Sequence, residues 1–263
     1  MDNITIKIQG LSTGFSRSKG KEKILHRGLN LNVGQGELIC IVGPNGSGKS
    51  TLLKTLLGFI KPLEGEVFFE NRLLNEMTVK ELSRMVSVVL TEKIEDTYLT
   101  AYEIVLTGRY PHGSFLGKLT EEDELLIDRA FRQVGIRQLA HRSFFTLSDG
   151  EKQRAMIART IVQQTPFIFL DEPVAYIDAP GRIGIMQLLK KLTKDMCKGI
   201  LMATHDIDSV LHYADRLWLL GMNGKWKEGK AGELVEAGFI NDYFDLEDVK
   251  FNTKNHRFEW KGR

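Results

Sequence analysis

Leu38-Ile39-Cys40-Ile41-Val42-Gly43-Pro44-Asn45-Gly46-Ser47-Gly48-Lys49-Ser50-Thr51 decides how the rest of the chain is read. Its first five residues are apolar and rich in β-branched side chains, the signature of a buried strand. A glycine-dense turn follows, and Thr51-Leu52-Leu53-Lys54-Thr55-Leu56-Leu57 then reads as a helix. Between them Gly43 to Ser50 matches G-x-x-x-x-G-K-[ST]. In such a loop successive backbone N–H groups point inward at phosphate, and the missing side chains keep the approach open. The helix beginning near Lys49 adds its positive N-terminal dipole, Lys49 can reach the β- and γ-phosphates, and the Ser50 hydroxyl can ligate Mg²⁺. The expected ligand is a nucleoside triphosphate with Mg²⁺. Its candidate holders are Gly43, Pro44, Asn45, Gly46, Ser47, Gly48, Lys49, Ser50 and Thr51. A chance glycine-rich turn is the bland alternative, and the strand and helix on the correct sides weigh against it.

At 263 residues the chain is long enough for one large domain, or one domain with an inserted subdomain. Its 36 basic and 34 acidic residues nearly balance, so no strong field for nucleic acid or an acidic partner follows. Cys40 lies in the apolar strand and Cys197 far along the chain, which fits a reduced compartment without structural disulfides. No apolar run reaches the roughly 18 residues that span a bilayer. Met1-Asp2-Asn3-Ile4 has no basic segment leading an apolar core, so a cytosolic or peripheral protein is expected.

Before the phosphate loop, Ile4, Ile6 and Ile8 alternate with polar residues as in a half-buried strand, and the polar run from Ser16 to Lys23 reads as a hairpin loop. Leu29 to Val33 is a second strand. Glu66 to Phe69 and Met85 to Leu90 resume strand character after the first helix, and from Thr91 the period changes to that of helices. Thr120 with Asp123, and Ser148 with Glu151, have capping-box spacing ahead of amphipathic runs. Phe167 to Leu170 is apolar on both faces and runs into Asp171-Glu172-Pro173. Such a strand belongs in the middle of a parallel sheet, whose C-terminal edge is where ligands bind. Ile200 to Ala203, ending at His205, and Arg216 to Leu220 complete the strands. The expected organisation is an α/β core with an antiparallel β subdomain over 4–90 and 166–236, an inserted helical subdomain over 91–165, and a tail over 237–263 in which no chemistry is legible.

A phosphate loop serves kinases, GTPases, motors and transporters alike, so the surrounding motifs decide. Asp171 at a strand end is the carboxylate needed to hold a hydrated Mg²⁺, and Glu172 beside it is placed to polarise an attacking water. Between these sites lies Leu147-Ser148-Asp149-Gly150-Glu151-Lys152-Gln153-Arg154, and here the chain resembles the ATP-binding cassette family. The family signature is Leu-Ser-Gly-Gly-Gln; this chain keeps Leu147, Ser148 and Gly150 and departs at Asp149 and Glu151. The resemblance implies a P-loop NTPase core, ATP as the nucleotide, and a head-to-tail homodimer in which Ser148 and Gly150 face the γ-phosphate bound to the opposite subunit. Asp149 adds negative charge near that triphosphate and should weaken closure unless it points away.

Other elements fall in the family's order. Phe15 stands where the family stacks an aromatic on adenine, although an aromatic near a strand end could equally be core. Asp178 matches the aspartate of the loop after the acidic pair, and His205 matches the switch histidine that contacts the γ-phosphate. Thr91 stands where the family usually has glutamine, and its shorter side chain should fall short of direct Mg²⁺ ligation. Val105 to His112 looks like the segment by which ATPases of iron–siderophore, haem and cobalamin importers meet their membrane subunits. The resemblance thus implies a peripheral ATPase on the cytoplasmic face of the cell membrane, with Lys49, Glu172 and His205 catalytic and Ser50 and Asp171 holding the metal. Its implied partners are integral permease subunits and a separate substrate-binding protein, with no nucleic acid. Two rivals are a soluble cassette ATPase that remodels a protein or nucleic-acid complex, which two cassettes in one chain would favour, and a kinase, which failure to dimerise on ATP would favour.

Overall fold

The computed structural model describes residues 4–17, 21–91, 98–113, 119–244, 249–253, 255 and 257–260. β1 (Thr5–Arg17) and β2 (Lys21–Gly34) form a long antiparallel hairpin that buries Ile6, Ile8, Leu29, Leu31 and Val33 on one face. The polar run expected as a loop is mostly strand, since Ser16 pairs with Glu22 and Arg17 with Lys21; its tip, residues 18–20, lies outside the described residues. The run carries no apolar alternation, which is why the pairing was invisible to pattern. β3 (Leu38–Val42) follows, and α1 (Lys49–Leu56) starts directly beyond the phosphate loop. β4 (Glu64–Phe69) and β5 (Arg72–Leu73) then complete a four-stranded antiparallel sheet of order β2-β1-β4-β5.

α2 (Val79–Met85) takes the residue expected to open the next strand, so β6 (Val86–Val89) begins at Val86. Reciprocal capping boxes, Thr100 with Glu103, Thr120 with Asp123 and Ser148 with Glu151, open α3 (Ala101–Leu106), α4 (Glu121–Val134) and α5 (Asp149–Val162). β7 (Phe167–Asp171), α6 (Ala179–Met196), β8 (Gly199–Thr204), α7 (Ile207–Tyr213), β9 (Arg216–Leu220) and β10 (Trp226–Lys230) follow. The second sheet has the order β10-β9-β3-β8-β7-β6, parallel from β9 to β6 with β10 antiparallel at the edge.

Because β3 lies between β8 and β9, it feeds two cores. Leu38, Cys40 and Val42 pack with residues of the helices on one face, including Ile157 and Leu189. Ile39 and Ile41 pack on the other face with Leu52, Leu53 and Leu56 of α1 and with Ile6 and Ile8 of the antiparallel sheet. Full burial of each such side chain stabilises the fold by about 1.5–3 kcal/mol, so the strand that ends in the phosphate loop is also among the best anchored. The tail belongs to the same body. α8 (Ala231–Glu236) leads into α9 (Phe239–Phe244), β11 (Val249–Asn252) and β12 (Arg257–Trp260), and the tail buries Ile240 and Tyr243 of α9 and Phe251 of β11 in the helix-side core. Among the described residues no helix is long and apolar enough to cross a membrane.

Candidate functional site

Val42, the last residue of β3, delivers the chain to Gly43, where a Cβ would fall 2.2 Å from the Leu220 carbonyl oxygen of β9. Only glycine lets the loop leave the sheet there. Ser47 N donates to Pro44 O at 3.1 Å and folds the loop over, leaving Asn45 and Gly46 exposed. The Ser47 hydroxyl is buried inside this loop with no hydrogen-bond partner, a donor that suits an anion's oxygen. Lys49 is buried, and its ammonium donates to the carbonyls of Gly43 at 2.8 Å and Pro44 at 3.3 Å. Burial lowers its pKa from the ordinary lysine value, while the Glu172 and Asp171 carboxylates pull the other way. Thr51 continues α1 behind this lysine, its carbonyl accepting from the Thr55 hydroxyl at 2.8 Å.

The acidic pair closes on the loop from the neighbouring strands. Asp171 ends β7 almost fully buried, and its Oδ1 accepts from the Ser50 hydroxyl at 2.9 Å. Two hard oxygen ligands held at hydrogen-bond distance are a donor set that fits Mg²⁺. Glu172 has a left-handed backbone with φ +51°, and its N–H donates to Ala203 O at 2.8 Å. Such a conformation costs a non-glycine residue about 1–3 kcal/mol and persists only where the surroundings enforce it. Its Oε2 accepts from His205 Nδ1 at 2.9 Å. The parallel register that sets Asp171 opposite Ala203 therefore also carries His205, just past β8, to the carboxylate. Lys49, Ser50, Asp171, Glu172 and His205 all gather at the C-terminal edge of three adjacent strands.

The remaining candidates sit on other elements. Phe15 is 45% exposed on β1, so the alternative of a core aromatic is removed. Thr91 Oγ1 donates to the Asp171 backbone carbonyl at 3.2 Å, which commits the hydroxyl proton to β7. Asp178 caps α6, accepting from Gly181 N at 3.1 Å. Ser148 is exposed at the start of α5 and accepts from Glu151 N at 3.3 Å, while Glu151 accepts from Ser148 N at 2.8 Å. That bond holds the Glu151 carboxyl below its ordinary pKa. Asp149 is exposed, and Gly150 lies in the first turn of the same helix. Arg109, read from the sequence as a partner contact, points inward. Its Nε donates to Asp123 Oδ1 at 2.7 Å with both side chains largely buried, and its Nη1 reaches Val162 O and Gln164 Oε1. Tyr110 beside it is 46% exposed.

One residue of the site escaped the sequence. His26 on β2 is fully buried beneath the phosphate loop, with Nε2 2.7 Å from Ser47 O and Nδ1 2.7 Å from Thr13 Oγ1. A Cβ on Gly48, whose φ is +96°, would come within 2.6 Å of the imidazole Cε1. Its partners lie on β1 and in the loop, so no local pattern around His26 announces it.

Comparison with known proteins bears on this arrangement. The ABC transporter family model matches residues 26–175, more than half of the chain. An uncharacterized ABC transporter ATP-binding protein of Methanocaldococcus jannaschii is 34% identical over 97% of this chain and 87% of its own. The iron(3+)-hydroxamate import ATP-binding protein FhuC of Bacillus subtilis is 30% identical over 86% of this chain and 84% of its own. A bacterial ABC transporter cassette solved as a dimer superimposes with a TM-score of 0.74 at 29% identity, covering 86% of this chain and 98% of that one. Fold, loop and relatives agree: the chain belongs to the ATP-binding, ATP-hydrolysing subunits of the ABC transporter family.

Proposed function

We propose that this chain is the ATPase of an importer for iron–siderophore or related metal-chelate complexes, attached to the cytoplasmic face of the membrane through integral permease subunits and supplied by a separate substrate-binding protein. The observation that carries the ATPase part is the meeting of two bonded pairs, Ser50 with Asp171 and Glu172 with His205, at one sheet edge beside the phosphate loop. In this reading Gly43 to Thr51 wrap the triphosphate, Phe15 stacks on adenine, and Lys49 leaves its carbonyl partners for phosphate oxygens. Ser50 and Asp171 would hold Mg²⁺, which neutralises charge on the phosphates when bound. Glu172 accepts a proton from the attacking water, and His205 fixes the orientation of that carboxylate. Exposed Ser148 and half-buried Gly150 at the N-terminus of α5 face ATP on a second copy, with Asp178 near the same seam.

The division into a core over 4–90 and 166–236, a helical subdomain over 91–165 and a tail over 237–263 belongs to this proposal. The iron-chelate part is supported by the relative that imports iron(3+)-hydroxamate. Affinity purification from detergent-solubilised membranes, with identification of co-purifying integral proteins, tests it. Permease-type subunits whose vesicles take up a ferric chelate on ATP addition are the expected result. Co-purification with a soluble complex alone would overturn it.

A further inference from the structure

The histidine under the phosphate loop has no place in the hydrolysis scheme above, yet its bonds are specific. Ser47 offers His26 a carbonyl oxygen, which only accepts, so Nε2 carries the proton and donates. Nδ1 is then an acceptor, and the Thr13 hydroxyl donates to it. Both partners and the ring are buried, so neither bond is exchanged with solvent. Thr13 lies on β1 two residues before exposed Phe15, and Ser47 lies between the two positive-φ glycines of the loop.

We infer that His26 is a positioning residue that locks the phosphate loop to the strand bearing Phe15, so that the adenine and phosphate subsites keep one spacing. The inference rests on ATP occupying this loop. The ring fills the space beneath Gly48 that a Cβ would claim, and the Thr13–His26–Ser47 chain spans from β1 across β2 to the loop. Because the bonds of His26 end on the Ser47 backbone carbonyl and the Thr13 hydroxyl, it acts on ATP affinity and not on the chemical step.

ATP affinity by titration calorimetry, together with steady-state hydrolysis, tests this on the full chain. His26→Leu keeps the volume and loses both bonds. It is expected to weaken ATP binding about three- to tenfold, with kcat at saturating ATP within about twofold. His26→Gln keeps an N–H at the end of a stem of similar reach for Ser47 O but no ring nitrogen for Thr13, so it should bind ATP more tightly than His26→Leu and more weakly than the parent. Thr13→Val, nearly isosteric, removes the other bond and should weaken binding in the same direction if His26→Leu does not fold. Ring-nitrogen NMR of the parent should show a neutral imidazole protonated at Nε2. Unchanged ATP affinity in both His26→Leu and Thr13→Val would overturn the inference, as would a loss in His26→Gln equal to that in His26→Leu. Lys49→Ala run alongside separates the two readings: if it too binds ATP normally, the loop is not the ATP site at all.

Discussion

At the scale of single residues, the site assigns separable jobs to side chains that stand close together. Lys49→Ala is expected to weaken ATP binding, whereas Glu172→Gln should retain binding and slow hydrolysis by about 10² or more, the usual scale for losing a general base. The Glu172→Gln protein should accumulate as an ATP-bound dimer on a sizing column. Thr91 is bound to the Asp171 carbonyl, so Thr91→Val removes one hydrogen bond worth about 0.5–1.5 kcal/mol. It should slow hydrolysis no more than about tenfold, far less than Asp171→Asn, when both are assayed at saturating Mg-ATP. His26 supplies a pH test. Burial lowers its pKa from the ordinary 6.5, so below that pH the unfolded chain takes up a proton that the folded one resists. Stability in urea should therefore fall as pH drops below about 6.5 in the parent more steeply than in His26→Gln. Lys49, Ser50, Asp171 and Glu172 were legible because each sits at a fixed place in a strand–loop–helix or strand-end motif. His26 was not, because what makes a buried histidine functional is who faces it, and Thr13 and Ser47 meet it only after three segments have paired.

Among the elements, the sequence was most readable where one physical rule acted alone. β3 and β7 are continuous apolar runs because both faces are covered, and α4 and α5 announce themselves through Thr120–Asp123 and Ser148–Glu151. β10 went unread because Trp226-Lys227-Glu228-Gly229-Lys230 lies at a sheet edge, where burial imposes no alternation. The segment Val105 to His112 was read for its partners, and one of its residues also holds the fold. Arg109 ties this turn to α4 through Asp123 and to the end of α5 through Val162 O. Arg109→Ala takes the guanidinium away from a nearly buried carboxylate that keeps its cap bonds to Thr120, and should cost on the order of 3 kcal/mol in urea denaturation. Tyr110 beside it is exposed. Tyr110→Ala should leave basal ATP binding near that of the parent while reducing transport in reconstituted vesicles; unchanged transport there would place the permease contact elsewhere.

Taken whole, the molecule joins an antiparallel sheet, a mostly parallel sheet and a helical flank around one strand, and its tail is part of that body. Ile240, fully buried, shows how firmly: Ile240→Ala should cost about 2–5 kcal/mol, measurable as a shifted denaturation midpoint with unchanged active-site residues. The position of β3 also dictates a timetable. Its two hydrogen-bonded neighbours, β8 and β9, begin at Gly199 and Arg216, so during synthesis the phosphate loop leaves the ribosome long before either strand that flanks it exists. A nascent chain ending at Lys198 carries every loop residue yet should not retain ATP on a column, and chains extended past Leu220 should. Until that length is reached, the apolar strand Leu38–Val42 is an unpaired edge, and the cell's holding chaperones are its natural early company.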